Sequence, residues 1–230
     1  MKKIVILSVL IFFLFGIFSF DYISSLYYQS VISSYYSDIS NIVPASEREK
    51  YQIYSTIIIN RYYKYLRKSK ELNTQNYLSS KCYLLPSQIV LTNWPLNYND
   101  TEGELLVSYN SAFKMDLQSY RELVTDYKAE TSENIKFEPG YFPFAKKIRY
   151  LDSSILTKKD FDVHKDVYDK FPDSIGLTAF SGIGFSRDRK FAIVKYYHIV
   201  DSLFADSCTM LLIKENQKWR ILEEFTGTIS

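Results

Sequence analysis

Histidine, cysteine and glycine are scarce in this chain, at two, two and seven of 230 residues. Without a C-x-x-C pair or a His-rich tract, the sequence carries no recognisable zinc ligand set, and no metal or cofactor is expected. The glycines form neither Gly-x-Gly-x-x-Gly nor Gly-x-x-x-x-Gly-Lys, so a phosphate cradle at a helix start is unsupported. Gly-x-Ser-x-Gly is missing as well, and Phe180-Ser181-Gly182 lacks the elbow pattern that exposes a serine nucleophile. Positive charge is not in excess: 28 basic side chains face 26 acidic ones, and setting aside Lys2 and Lys3 leaves 28 − 2 = 26 against 26. Nucleic-acid binding depends on Lys and Arg displacing counterions from phosphates, so a nucleic-acid partner is excluded.

What the chain does have is apolar and aromatic. Met1-Lys2-Lys3 is followed by an uncharged run from Ile4 to Phe20, and the next charge is Asp21. Two lysines ahead of a hydrophobic stretch keep the N-terminus in the cytoplasm and send the rest of the chain across the membrane, so the remainder is expected outside the cytoplasm. The run exceeds an ordinary signal core and just reaches the lower edge of a spanning helix. Ile17-Phe18-Ser19 is a weak cleavage site without the preferred Ala-x-Ala, so a cleaved signal peptide and a retained transmembrane helix both stand.

Residues 21–45 carry Asp38 as their one charge after Asp21, and read as a connecting segment, either a helix continuing from the anchor or a stalk. Residues 46–230 are expected to form a single extracytoplasmic domain. Ser46-Glu47-Arg48-Glu49 is a capping-box pattern that starts a helix at Glu47, with Tyr51, Tyr54, Ile58, Tyr62 and Tyr65 as its apolar stripe. Strands are expected at 81–85 and 88–92 around Pro86, a second helix over 112–128, a short strand at 146–151, and a third helix from Thr157 to about Phe171. Four apolar runs then come in succession, at 176–185, 191–200, 207–214 and 219–225. Their short polar connections predict an antiparallel meander, with a longer loop over 201–206. Trp219, Ile221 and Phe225 should share one buried face, opposite Arg220, Leu222 and Glu224. The fold class is therefore α+β, with N-terminal helices packed on a C-terminal antiparallel β-meander behind a hydrophobic targeting helix.

The C-terminal residues carry a resemblance. Phe171-Pro172-Asp173-Ser174 with Gly176, Ser181-Gly182-Ile183-Gly184-Phe185, Ala192-Ile193-Val194, Leu211-Leu212, Lys218-Trp219-Arg220-Ile221 and Ser230, with Gln88-Ile89-Val90-Leu91-Thr92 earlier, are the residues concerned. Together they resemble an uncharacterised family of exported bacterial proteins with a Tyr-Pro-Gly-Ser-like turn, a Ser-Arg-Val-Gly-Phe-like strand and a Lys-Trp-Lys-type last strand. The likeness covers about a third of the chain. It departs at Gly182, where that family has arginine, and the resemblance implies fold and export, not chemistry.

Several residues merit weighing as chemical groups. Asp162, Asp166 and Asp169 with His164 would put three carboxylates on one helix face, but one helix supplies too few convergent metal ligands, and Lys165 and Lys170 alternate with them. Cys82 and Cys208 lie in a compartment where disulfides persist, and their bridge would contribute about 4 to 5 kcal/mol in the chain-entropy model. Each also sits in an apolar stretch that suits a buried thiol, so both readings stand. Asn99-Asp100-Thr101 matches a glycosylation sequon, a pattern common by chance. The 21 tyrosines, several in pairs such as Tyr62-Tyr63 and Tyr196-Tyr197, fit amphipathic rings at a core boundary better than a sugar-stacking platform. His198 should point to the same face as Val194 and Tyr196. As a general base it would need a partner, for which Ser181, Asp201 and Asp206 are the candidates; otherwise it is a hydrogen-bonded structural histidine. The expected function is a non-enzymatic binding module for an envelope protein or other envelope component, held in the membrane through residues 4–20 if these are uncleaved. The alternative is an extracytoplasmic hydrolase using the histidine base.

Overall fold

The computed structural model of the chain describes residues 34–71, 88–93, 115–131, 135–201 and 204–226. The expected targeting segment, Cys82, the strand expected at 81–85 and the sequon at Asn99 lie outside these residues. No helix among the described residues is long and apolar enough to cross a membrane.

Two helices come first. Residues 34–42 form α1, and Arg48–Glu71 forms α2. Between them Pro44 turns the chain, its carbonyl accepting from the amides of Glu47 and Arg48. Glu49 does not close the expected capping box; its carboxylate instead accepts from Arg189 and Lys214 across the molecule, where two cations offer a stronger interaction than one amide. From Tyr51 to Ile59 every residue of α2 is buried, which the all-round apolar character of Ile53, Tyr54, Ile57, Ile58 and Ile59 explains. Tyr36, Ile39 and Val43 are buried in the same core, so the segment expected to connect contributes to the packed unit.

The sheet has six strands: β1 (Gln88–Asn93), β2 (Ile148–Tyr150), β3 (Ser174–Phe185), β4 (Phe191–Asp201), β5 (Phe204–Glu215) and β6 (Lys218–Thr226), in the order β2-β1-β3-β4-β5-β6. β3 to β6 form the expected antiparallel meander, while β1 pairs parallel with both β2 and β3. Asn216 and Gln217 at φ 50° and 63° make the tight β5–β6 turn. Pairing of β4 with β5 runs to Asp201 opposite Phe204, which replaces the longer loop expected over 201–206.

Helix α3 (Leu117–Thr131) starts later than expected, because Asp116 caps it by accepting from the amide and hydroxyl of Ser119 at 2.8 and 2.7 Å. It lies on the face of the sheet opposite α2 and approaches β3 at two glycines: a Cβ on Gly182 would meet the Glu130 carbonyl oxygen at 2.6 Å, and one on Gly184 the Tyr127 amide at 2.4 Å. The third helix expected from Thr157 to Phe171 is instead the short α4 (Ser154–Thr157) followed by a π turn, His164–Tyr168. Asp162 and Asp166 account for the interruption, since their carboxylates accept backbone amides that a continuous helix would use. The turn seats Val163 and Val167 against Val90, Leu177 and Ile199.

Two bulges set which side chains face α2. Between Phe180 and Ile183 the β3 register slips against β4, and between Ile221 and Glu223 the β6 register slips against β5. The second overturns the expected common face of Trp219, Ile221 and Phe225. The extra residue inverts the alternation, so Trp219 and Ile221 pack in the core beneath α2 while Phe225 and Leu222 join α3 on the other side.

Candidate functional site

Under α2 the sheet is apolar at one end and polar at the other. Val194, Met210, Leu212 and Trp219 make the apolar part. Further along the same strands, Tyr196 and His198 of β4 stand beside Cys208 and Asp206 of β5, paired Tyr196 with Cys208 and His198 with Asp206. Glu224 of β6 completes this floor, and the β6 bulge is what turns it inward beside Met210.

Arg61 of α2 occupies the centre. Its Nη2 donates to the Cys208 sulfur at 2.6 Å, its Nη1 lies 3.5 Å from Asp206, its Nη2 lies 3.4 Å from Glu224, and its guanidinium sits 5.0 Å from the Tyr196 ring centroid. Burial opposes the charge on Arg61, but its surroundings hold the pKa above the ordinary arginine value. Burial likewise pushes the Cys208 thiol up to about 11 despite the guanidinium beside it. The thiol is therefore neutral near pH 7, and the charges that hold Arg61 there are the carboxylates of Glu224 and Asp206. A protonated, buried thiol is a poor nucleophile. Among the described residues Cys208 is free, and Cys82, the partner weighed for a bridge, lies outside them.

His198 does share the face of Val194 and Tyr196, with the Tyr62 and Tyr196 rings at 6.4 and 6.1 Å from its own. Its Nε2 donates to the Ile175 carbonyl at 2.7 Å, which places the proton of the neutral ring on Nε2. Burial lowers its pKa below the ordinary histidine value, Arg61 adds to that, and the Ile175 bond and Asp206 oppose it. Gly176, next to Ile175, has φ 103° and fits because it lacks a side chain: a Cβ there would lie 2.1 Å from the Ile199 carbonyl oxygen and 3.2 Å from His198 Nε2.

The other candidates are distributed differently. Asp206 lies opposite His198 in the ladder, and its carboxylate forms an ion pair with Arg61. Ser181 sits in the β3 bulge, where its hydroxyl accepts from the Lys195 amide at 2.8 Å and donates to the Gly182 carbonyl at 2.8 Å, so it belongs to the backbone. Asp201 ends β4 opposite Phe204, and its side chain lies outside those described. His198 and Asp206 are thus brought together; Ser181 is bound up elsewhere. The Asp166 carboxylate, weighed as a metal ligand, holds Lys158 and the Asp162 amide, both at 3.0 Å. Among the described residues no three His, Cys, Asp or Glu side chains are placed to hold a metal ion.

Arg61, Tyr62, Cys208 and Glu224 were not singled out by sequence as one group. Arg61 carried a signal, as a lone charge following Ile57-Ile58-Ile59 four residues after Ile57 on a buried helix. Glu224 carried none, because its inward position depends on the bulge. Two clefts lie away from this floor: one of about 400 Å³ between the start of α3 and the β3–β4 turn, lined by Asp116, Glu122, Arg187 and Lys190 among others, and one of about 180 Å³ between Lys50, Tyr54, Glu130 and Phe137. Neither is lined by His198, Ser181 or Asp206. Comparison with protein families, curated proteins and solved structures finds no match to this chain.

Proposed function

We propose that the chain is an extracytoplasmic envelope protein whose folded part binds or supports another envelope component instead of turning over a substrate. The observation that carries this reading is that the Ser181 hydroxyl is committed to the Lys195 amide and the Gly182 carbonyl, and that neither cleft is lined by His198, Ser181 or Asp206. A general base must reach the proton it removes, and a nucleophile must reach a base. Lys2-Lys3 with the run from Ile4 to Phe20 supports the location, as does the resemblance to exported proteins. That run also serves as a membrane-spanning helix if it is not cleaved. Balanced charge supports a partner other than nucleic acid.

The competing reading, a hydrolase with His198 as base and Asp206 beside it, draws on their adjacency in the β4–β5 ladder. Crosslinking a tagged full-length chain in intact cells and isolating it from membranes separates the two. The binding reading predicts that wild type and His198→Gln trap the same envelope component, absent from an untagged control. Failure to trap one, together with ester or peptide cleavage by the purified chain that His198→Gln abolishes, would overturn it.

A further inference from the structure

The β3–β4 turn divides its three cations between two helices. Arg189 reaches the Glu49 carboxylate at the start of α2 and lies over the Phe185 ring, whereas Arg187 and Lys190 line the cleft of about 400 Å³ beside the start of α3. Ser186 and Asp188 fix the shape of the turn. The Ser186 hydroxyl accepts from the Phe191 amide and donates to Asp188 Oδ1, which also accepts from the Lys190 amide. Asp116 at the cap of α3 and Glu122 within it form the other wall of the cleft, and Met115 and Phe191, both buried, supply the apolar part of its lining.

Both walls hold polar groups that the fold does not use. Arg187 makes no hydrogen bond or ion pair among the described residues, and the Lys190 ammonium lies 5.8 Å from the centroid of the Phe191 ring. Glu122 accepts from Gln118 at Oε1 alone, at 3.2 Å. Asp116 gives one oxygen to the Ser119 amide and the other to its hydroxyl, and each carboxylate oxygen has a further lone pair to offer. Those bonds hold the Asp116 carboxyl below its ordinary pKa, so it is ionised near pH 7. No ion pair joins the two walls among the described residues. A plain anion in the cleft would face Asp116 and Glu122, and a plain cation would face Arg187 and Lys190. A zwitterion satisfies both walls, and like-charge repulsion disfavours the alternatives.

We propose that this cleft binds an α-amino acid group, with its carboxylate on Arg187 and Lys190, its ammonium on Glu122 and Asp116, and its side chain against Met115 and Phe191. Arg187 suits the carboxylate because its planar fork can donate two parallel bonds. The group can belong to a free amino acid or to the zwitterionic end of a peptide. The site stands apart from the envelope-binding role, which does not depend on it. Its charges are exposed and screened by water and salt, so the expected affinity is modest, with Kd in about the millimolar range.

The test is titration of the full chain in detergent micelles, read by the NMR shifts of backbone amides 115–122 and 186–191. One probe is L-leucine; the other is an acetylated and amidated peptide containing diaminopimelate, whose side chain ends in an ammonium and a carboxylate on one carbon. At least one of the two should shift these amides saturably by about 10 mM. Leucine alone assigns the site to free amino acids, and a tighter fit of the peptide assigns it to a peptide end. Analogues of the probe that binds, with either its carboxylate esterified or its ammonium acetylated, should bind about ten-fold more weakly or worse. Arg187→Gln and Glu122→Gln should each weaken the probe by a similar factor without lowering the melting temperature, since both side chains are exposed. No saturable shift with either probe, equal binding of the one-charge analogues, or unchanged binding in either variant would each overturn the site. The analogue comparison uses wild type alone and decides the matter if a variant fails to fold.

Discussion

Trp219 is 2% exposed, with its ring 5.9 Å from Phe185 and its backbone amide donating to the Tyr36 hydroxyl at 2.6 Å. Trp219→Ala removes a large core ring and should lower stability by about 3 to 5 kcal/mol, seen as a lower melting temperature and rapid proteolysis. That burial was legible, because Trp219 and Ile221 alternate on one strand face. The role of Ser181 was not. Its hydroxyl satisfies the buried Lys195 amide, so Ser181→Ala should cost about 1 to 3 kcal/mol by leaving that donor unpaired, and should not affect partner capture. A variant as stable as wild type, measured by chemical denaturation, would show that water or a backbone shift replaces the bond. His198 was legible as to its face but not its partner, since the Ile175 carbonyl reaches it through the Gly176 conformation, which spacing does not encode.

Among the elements, the four long strands could be read from apolar runs between polar turns, and short connections implied their antiparallel pairing. The parallel placement of β1 and β2 could not be read, because it joins segments far apart in sequence. Bulges are equally silent: one extra residue in β6 moves Phe225 to the α3 side and Glu224 to the Arg61 floor. The expected third helix failed for a local reason, the competition of Asp162 and Asp166 for backbone amides. Gly182 and Gly184 of β3 let α3 approach the sheet closely. Gly184→Ala would force a methyl against the Tyr127 backbone and should displace α3, costing at least the about 1 to 3 kcal/mol of ordinary overpacking, measured by denaturation. Glu49 fastens the start of α2 to Lys214 and the β3–β4 turn. Burial opposes its charge, but bonds to Lys214 and Arg189 hold its pKa below the ordinary 4.5. This contribution is present above that value and lost as pH falls through the depressed one. Melting temperature should therefore drop more steeply in wild type than in Glu49→Gln as acid is added, and parallel curves would show that Glu49 does not fasten α2.

At the scale of the whole molecule, the α+β architecture rests on helices on both faces of one sheet, with the Tyr51 to Ile59 stretch of α2 buried in a core shared with α1 and the 135–147 segment. The scarcity of histidine and cysteine, the engagement of the Ser181 hydroxyl with the Lys195 amide, and two clefts that His198, Ser181 and Asp206 do not line are the grounds for proposing a module that holds a partner. Lys2-Lys3 and the run to Phe20 are the reason an extracytoplasmic location is proposed, and the binding role proposed for the folded part presumes that side of the membrane. Protease added to intact spheroplasts carrying a full-length chain with a C-terminal tag tests this most directly. Residues from Glu47 onward, or the released domain recovered outside the cells, should be reached by protease while a cytoplasmic marker survives. Full protection of the tagged chain until the inner membrane is lysed would contradict an extracytoplasmic location.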